Sequence, residues 1–292
     1  MDSAQSGFTP EVIKDRIGIS YRFTFPSSGL FQCSLTGLIF NVTHEGEVMY
    51  KTLIWDKMLL QPANKVPGGL LFSIKCSQDS ISQLHLPHCE PEPALVSKSL
   101  SVVHITDDGM SFIQPREITK THVVVDTPHL TAFGIVWDLI ERFKNFITKP
   151  VSGQVLLFLR PPCRGGTLIL SVIVLPGNVP LKEVKVQHEE CEYIKAPSHC
   201  LLHKGQNYSL FSDPDVYTIQ PSHATFFDNY GPNYHATFEI FMTTSTEEVT
   251  LMVQDPNRTQ VWEYNLHLRA SFSHADENQP KKNISTSAQE KL

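Results

Sequence analysis

Histidine is the residue type here best suited to acid–base chemistry near neutral pH, since an unperturbed imidazole titrates at about 6.5. The chain has 13 of them. The densest group is His85-Leu86-Pro87-His88-Cys89-Glu90, which places two imidazoles, a thiol and a carboxylate together. A metal centre needs a further convergent ligand, and Pro87 prevents the helical face on which two such histidines would meet an ion. The segment therefore reads as a strand ending at a turn, and neither a metal nor a cofactor is expected. The patterns GxxxxGKS/T, GxGxxG, GxSxG and HExxH are all missing. Phosphate cradles, dinucleotide folds, hydrolase elbows and zinc proteases thus lack support. Phe226, Phe227, Tyr230 and Tyr234 surround Asn229-Tyr230-Gly231-Pro232-Asn233. They read as a packed turn beneath a sandwich rather than a stacking platform.

The elements that must position any site are short strands separated by turn residues. ISYRFTF (19–25) is rich in β-branched and aromatic residues and stops at Pro26-Ser27-Ser28-Gly29. TGLIFNV (36–42) and EVMYKTLIW (47–55) flank His44-Glu45-Gly46, which reads as a hairpin turn. Further strands are expected at 70–76, 99–105, 122–127, 132–137, 154–160, 167–175, 236–244, 248–254 and 260–268. One segment has helical spacing: Val136, Leu139, Ile140, Phe143 and Ile147 fall on one face, which predicts a short helix near 137–147, the alternative being a strand that continues from 132–137 over the first half of the segment. The rest points to a mostly β protein of two stacked antiparallel β-sandwiches.

A chain of 292 residues with 41% hydrophobic and 18% charged residues is globular and long enough for one large domain or two ordinary ones. The net charge of -6 leaves no basic surplus for a phosphate backbone or an anionic membrane, so no nucleic acid and no membrane is expected as partner. The opening MDSAQSGFTPEVIKDR is polar and lacks the apolar stretch of a signal peptide, which predicts a cytoplasmic protein. Six scattered cysteines without a CxxC pair read as reduced thiols, and four N-x-S/T sequons as chance. Residues 1–17 and 269–292 are polar and read as disordered ends.

Several stretches resemble one family: YRFTFPSSGLFQCSLTGLIF, QLHLPHCE, LSVVHITDDGM, HVVVDTPHLTAFGIVWD, YIKAPSHC and NYGPNYHATFEIFMTTSTEEVTLMVQD. The chain resembles the function-to-find domain (FIIND), the tandem ZU-type plus UPA module of inflammasome sensors and related CARD-containing proteins. The resemblance runs from about Ile19 to about His267. It implies a ZU-type half over 18–130, a UPA half over 131–268, and a regulatory role in innate-immune or apoptotic signalling. It also implies self-cleavage between an aromatic residue and a following Ser, whose hydroxyl attacks its own preceding carbonyl. That chemistry needs a nucleophile beside the carbonyl, a base and a strained peptide, because an ordinary amide is too stable. The matching bond is Leu130–Thr131, with Thr131 as nucleophile, His104 as the base and His129 as an alternative.

The sequence departs from the family pattern in three ways. Leu130 replaces the aromatic residue. Thr131 replaces Ser and adds a methyl group that crowds attack. Ile113 and Gln114 stand where some relatives have an acidic residue; the nearest acids are Asp107, Asp108 and Glu117. Each change is expected to slow cleavage. The resemblance further implies self-association through the UPA half, binding to related CARD-containing inflammasome proteins, and binding to cytosolic dipeptidyl peptidases. The alternatives are a non-cleaving adaptor of the ankyrin kind, which carries the same tandem modules, and an extracellular β-sandwich binding domain that the sequons would suit.

Overall fold

The computed structural model describes residues 5–15, 18–127, 129–138, 149–161, 166–215, 217–226 and 229–268. Its first strands are β1 (Ser6–Phe8), β2 (Glu11–Lys14), β3 (Ile19–Phe25), β4 (Gly29–Cys33), β5 (Ile39–Val42) and β6 (Gly46–Leu53). A short helix α1 (Lys57–Leu60) and a 3-10 turn precede β7 (Lys65–Cys76) and β8 (Ile81–Pro87). Helix α2 (Pro93–Val96) leads to β9 (Leu100–Thr106), β10 (Gly109–Ile113), β11 (Glu117–Ile118), β12 (His122–Asp126) and β13 (Ala132–Asp138). Then come β14 (Val151–Leu159), β15 (Thr167–Pro176), helix α3 (Leu181–Gln187), β16 (Glu192–Ile194), β17 (His199–Leu202) and β18 (Asn207–Asp213). The last strands are β19 (Thr218–Gln220), β20 (Ala224–Thr225), β21 (Phe238–Thr243), β22 (Glu248–Gln254) and β23 (Gln260–His267).

Two sheets form the first sandwich, in the orders β1-β4-β5-β8-β12-β11 and β10-β9-β13-β7-β6-β3-β2. Two more form the second: β16-β14-β15-β21-β19, with β17 also on β14, and β20-β18-β22-β23. Pairing among the described strands is antiparallel except for β1 with β4. Strand alternation fills each interior. In β6, Val48, Tyr50 and Thr52 point inward while Glu47 and Met49 face water. The apolar runs in β14 and β15 have a different cause. Val155, Leu157, Leu170 and Val172 enter the core of the second sandwich, whereas Leu156, Phe158, Ile173 and Leu175 join the core of the first. Their sheet is covered on both faces, so it has no polar side to alternate with.

The structure corrects four expectations. Residues 6–8 and 11–14 of the supposedly disordered start are strands. Phe8 is buried and stacks on Phe23 with ring centroids 4.1 Å apart, which stabilises this edge by about 2 kcal/mol. The turn at His44-Glu45-Gly46 is not a hairpin, because β5 pairs with β4 and β8 while β6 pairs with β3 and β7. It carries the chain from one sheet to the other. The first residues of the predicted helix, Val136 to Asp138, belong to β13, where Val136 and Trp137 are buried between β7 and β9; residues 139–147 lie outside the described residues. Finally, β13 follows the expected border at 130/131 yet sits in the first sandwich, as a central strand. The tail from 269 lies outside the described residues.

Candidate active site

The site forms where the chain crosses the first sandwich. Thr127 is the last residue bonded to one sheet, its N–H donating to Ser82 O at 3.0 Å and its hydroxyl to Ile81 O at 2.9 Å. Thr131 is the first bonded to the other, its carbonyl accepting from Ile74 N at 2.7 Å. Four residue steps reach at most about 14 Å, and packed sheets stand about 10 Å apart, so this crossing has little slack. Leu130–Thr131 lies at its far end. The Leu130 side chain is half-buried against the core, and His129 is exposed.

Register brings the chemistry together. Side chains of Thr131, Phe133 and Ile135 fall on one face by strand alternation. His104 of β9 is the direct partner of Phe133 in the ladder, so its ring lies beside that face. The Thr131 Oγ1 is 2.7 Å from His104 Nε2, a short hydrogen bond. Phe133, fully buried, stacks on the imidazole with centroids 4.4 Å apart and planes 17° from parallel. His104 itself is 7% exposed. Burial holds its imidazole below the ordinary histidine range; a hydrogen bond to the His129 backbone works in the opposite direction, and the His129 ring adds to the lowering. The imidazole is therefore neutral at pH 7 and able to take a proton from the hydroxyl.

Of the residues singled out in the sequence, His104 and Thr131 meet. His129 meets them through its backbone, while the residue is exposed to solvent. Asp107 and Asp108 sit beyond the end of the ladder between β9 and β10, and Glu117 lies in the opposite sheet. Ser111 is the residue across from His104 on β10, and Ile113 faces Val102. Among the described residues no carboxylate acts on His104. In place of the acid of a nucleophile–base–acid triad, the imidazole has a hydrogen bond to the His129 backbone and the flat face of the Phe133 ring against it. Phe133 went unnoticed in the sequence, although its place two residues after Thr131 in a strand was the signal for it.

The other clusters have structural uses. His88 Nε2 is 3.0 Å from Thr119 O and its Nδ1 accepts from Glu90 N at 3.2 Å. His122 Nε2 is 2.9 Å from Gly37 O, and its Nδ1 is 2.8 Å from Thr121 Oγ1. These nitrogens are spent on the fold, and the described residues hold no group of three metal-ligating side chains. Tyr230 and Tyr234 are buried, so they offer no stacking platform. No helix among the described residues is long and apolar enough to cross a membrane.

Residues 14–143, which include β13, match the family model FIIND, described as "Function to find". Residues 151–266 match that of the UPA-FIIND domain. The chain is 24% identical over 272 residues to mouse "NACHT, LRR and PYD domains-containing protein 1b allele 5", covering 89% of this chain and 22% of that protein. It is 28% identical over 222 residues to mouse "NACHT, LRR and PYD domains-containing protein 1a", covering 72% and 18%. Human "Caspase recruitment domain-containing protein 8" is 27% identical over 149 residues, covering 48% and 27%. The chain thus spans between 18% and 27% of the length of these relatives. Two matches in tandem, one on each sandwich, establish that the chain belongs to the FIIND family, with a Function-to-find half followed by a UPA-FIIND half.

Proposed function

We propose that this chain is a regulatory module of innate-immune, inflammasome-type signalling, acting in the cytoplasm, that breaks its own backbone once at Leu130–Thr131. The observation that carries the cleavage is the 2.7 Å contact between the Thr131 hydroxyl and His104 Nε2. In the reaction, Thr131 Oγ attacks the Leu130 carbonyl carbon while its proton passes to Nε2. The C–N bond then breaks, and the nitrogen takes the proton back from the imidazolium. This leaves an ester between Leu130 and Thr131 Oγ, which water hydrolyses to a Leu130 carboxylate and a free Thr131 amine. With no carboxylate among the described residues to stabilise the imidazolium, and with a Thr methyl on the carbon that bears the attacking oxygen, the step is slow.

The break would not part the two pieces. Strand β13, which the cut would make the first strand of the second piece, is hydrogen-bonded to β7 on one side and β9 on the other. Its Phe133, Ile135 and Val136 side chains are fully buried. Freeing the second piece therefore means dismantling the first sandwich, which suits a device released by destruction of its N-terminal half. In this reading the freed UPA half self-associates and engages related CARD-containing inflammasome proteins, and dipeptidyl peptidases bind the intact module. Denaturing electrophoresis with intact-mass analysis of the expressed chain tests the reading. It predicts two fragments, one starting at Thr131, that elute as one species under native conditions. Fragments that separate natively, or a chain that never breaks, would refute it.

A further inference from the structure

A second group stands buried with no part in that chemistry. Glu183 of helix α3 is 1% exposed, on the seam where the second half meets the first. Its Oε1 accepts from the Thr52 hydroxyl of β6 at 2.7 Å, a bond between the two halves. Its Oε2 is buried without a hydrogen-bond partner, and so is the hydroxyl of neighbouring Tyr234. The backbone of Tyr234 is fixed to the end of α3: its N–H donates to Gln187 Oε1 at 3.3 Å and its carbonyl lies 2.6 Å from His188 Nε2. Gly231 makes room for this ring, since a Cβ there would run into the Tyr234 hydroxyl. The hydroxyls of Thr52 and Tyr234 are donors that either form of the carboxyl can use, but no cation is among the groups that act on it, so the uncompensated feature of the site is a buried negative charge. The carboxylic acid removes that charge, and its O–H can donate to the Tyr234 oxygen.

We propose that Glu183 is a proton-operated latch on the seam between the two halves: with its proton it ties α3 to β6 and to Tyr234, and without it the seam loosens. The groups around the carboxyl are Thr52 on β6, Tyr21 on β3 and Tyr234 in the loop before β21, with Cys33 beyond Tyr21. None is a cation. Burial pushes the acid up to about 7, and the hydroxyls of Thr52 and Tyr234 offset only part of this. Burial and then the Glu183 charge keep both phenols protonated. The Asn178 side chain bonded to Pro87 O at 3.0 Å also crosses the seam, but it does not titrate. The Lys14–Glu189 pair does so at 2.6 Å on the surface, where it is worth little. Glu183 is thus the buried tie that a proton controls, whether or not the chain is cleaved.

The direction follows from linkage. The folded chain keeps a proton that the unfolded chain, with an ordinary carboxyl near 4.5, has lost. The stabilisation is complete below that value, is lost as pH rises towards 7, and changes no further above it. Glu183→Gln keeps the acceptor for Thr52 and offers an N–H to Tyr234, with nothing to titrate. Between pH 5 and 8 the wild-type folding constant, measured by urea unfolding of the full chain, should fall relative to that of Glu183→Gln by on the order of 50–100-fold. At pH 8, β6 and α3 amides should exchange faster in the wild type than in the variant. Thr52→Val, which removes a donor to the anion, should move the transition to higher pH. Parallel unfolding curves, equal amide protection, or a Glu183 carboxyl that titrates near 4.5 in the wild type by carbon NMR would each overturn the latch.

Discussion

Replacing Phe133 by Leu separates the fold from the chemistry at the dyad. The ring is fully buried and lies 4.4 Å from the His104 imidazole, 17° from parallel. Leu preserves apolar bulk, so the change should cost about 1–2 kcal/mol of stability, below the 3–5 kcal/mol of truncation to Ala. An aromatic stack is worth about 0.5–1.5 kcal/mol beyond its area. If that energy holds the imidazole in line with Thr131, losing it slows cleavage by about 2- to 13-fold, at 1.36 kcal/mol per factor of ten. The assay is a time course of intact and cleaved chain on denaturing gels after pulsed synthesis, with urea unfolding of each variant alongside. Phe133→Tyr, which restores the flat face, should restore the rate. A Phe133→Leu chain that loses the expected stability yet cleaves at the wild-type rate would refute the positioning role.

Three further outcomes are expected. In the proposed reaction the base is a neutral imidazole, and burial holds that of His104 below the ordinary range, so the cleavage rate should rise with pH only below about 6.5 and be flat from 7 to 8.5; a rate climbing through 7–9 would point to another base. Thr131→Ser removes the crowding methyl and should speed cleavage by about 2- to 13-fold, the worth of one crowded torsion at ~0.5–1.5 kcal/mol, as read on the same gels. Gly134→Ala places a methyl 2.5 and 2.6 Å from the Trp55 ring and should lower stability by about 1–3 kcal/mol in thermal or urea unfolding; an unchanged midpoint would contradict the packing of Trp55 on β13.

Much of the fold could be read from residue types because burial and strand period act locally. ISYRFTF and EVTLMVQ are strands over the expected residues, since β-branched and aromatic side chains alternate between two well-defined faces. The two N-terminal strands were hidden because they lie on sheet edges and one residue, Phe8, carries most of their burial. The crossing at 44–46 looks like a hairpin since turn chemistry reports a reversal of direction, not which sheet the next strand joins. The candidate pair His104 and Thr131 was legible through family resemblance, but the Phe133 face stacked on the imidazole required the register of β9 with β13. Glu183 was not legible. Nothing in LKEVKVQ marks its carboxyl, which is buried by packing against Thr52 of the other half and Tyr234 of its own.

In the proposed reaction Thr131 breaks its own peptide bond with His104 as base. Intact-mass and N-terminal analysis of freshly expressed wild type, Thr131→Ala and His104→Gln tests it most directly. A fragment beginning at Thr131 is expected in the wild type and only full-length chain in both variants, each retaining a wild-type β spectrum by circular dichroism. A new N-terminus at position 131 in Thr131→Ala would assign the break to an outside protease and contradict the account, as would a wild-type chain that stays whole.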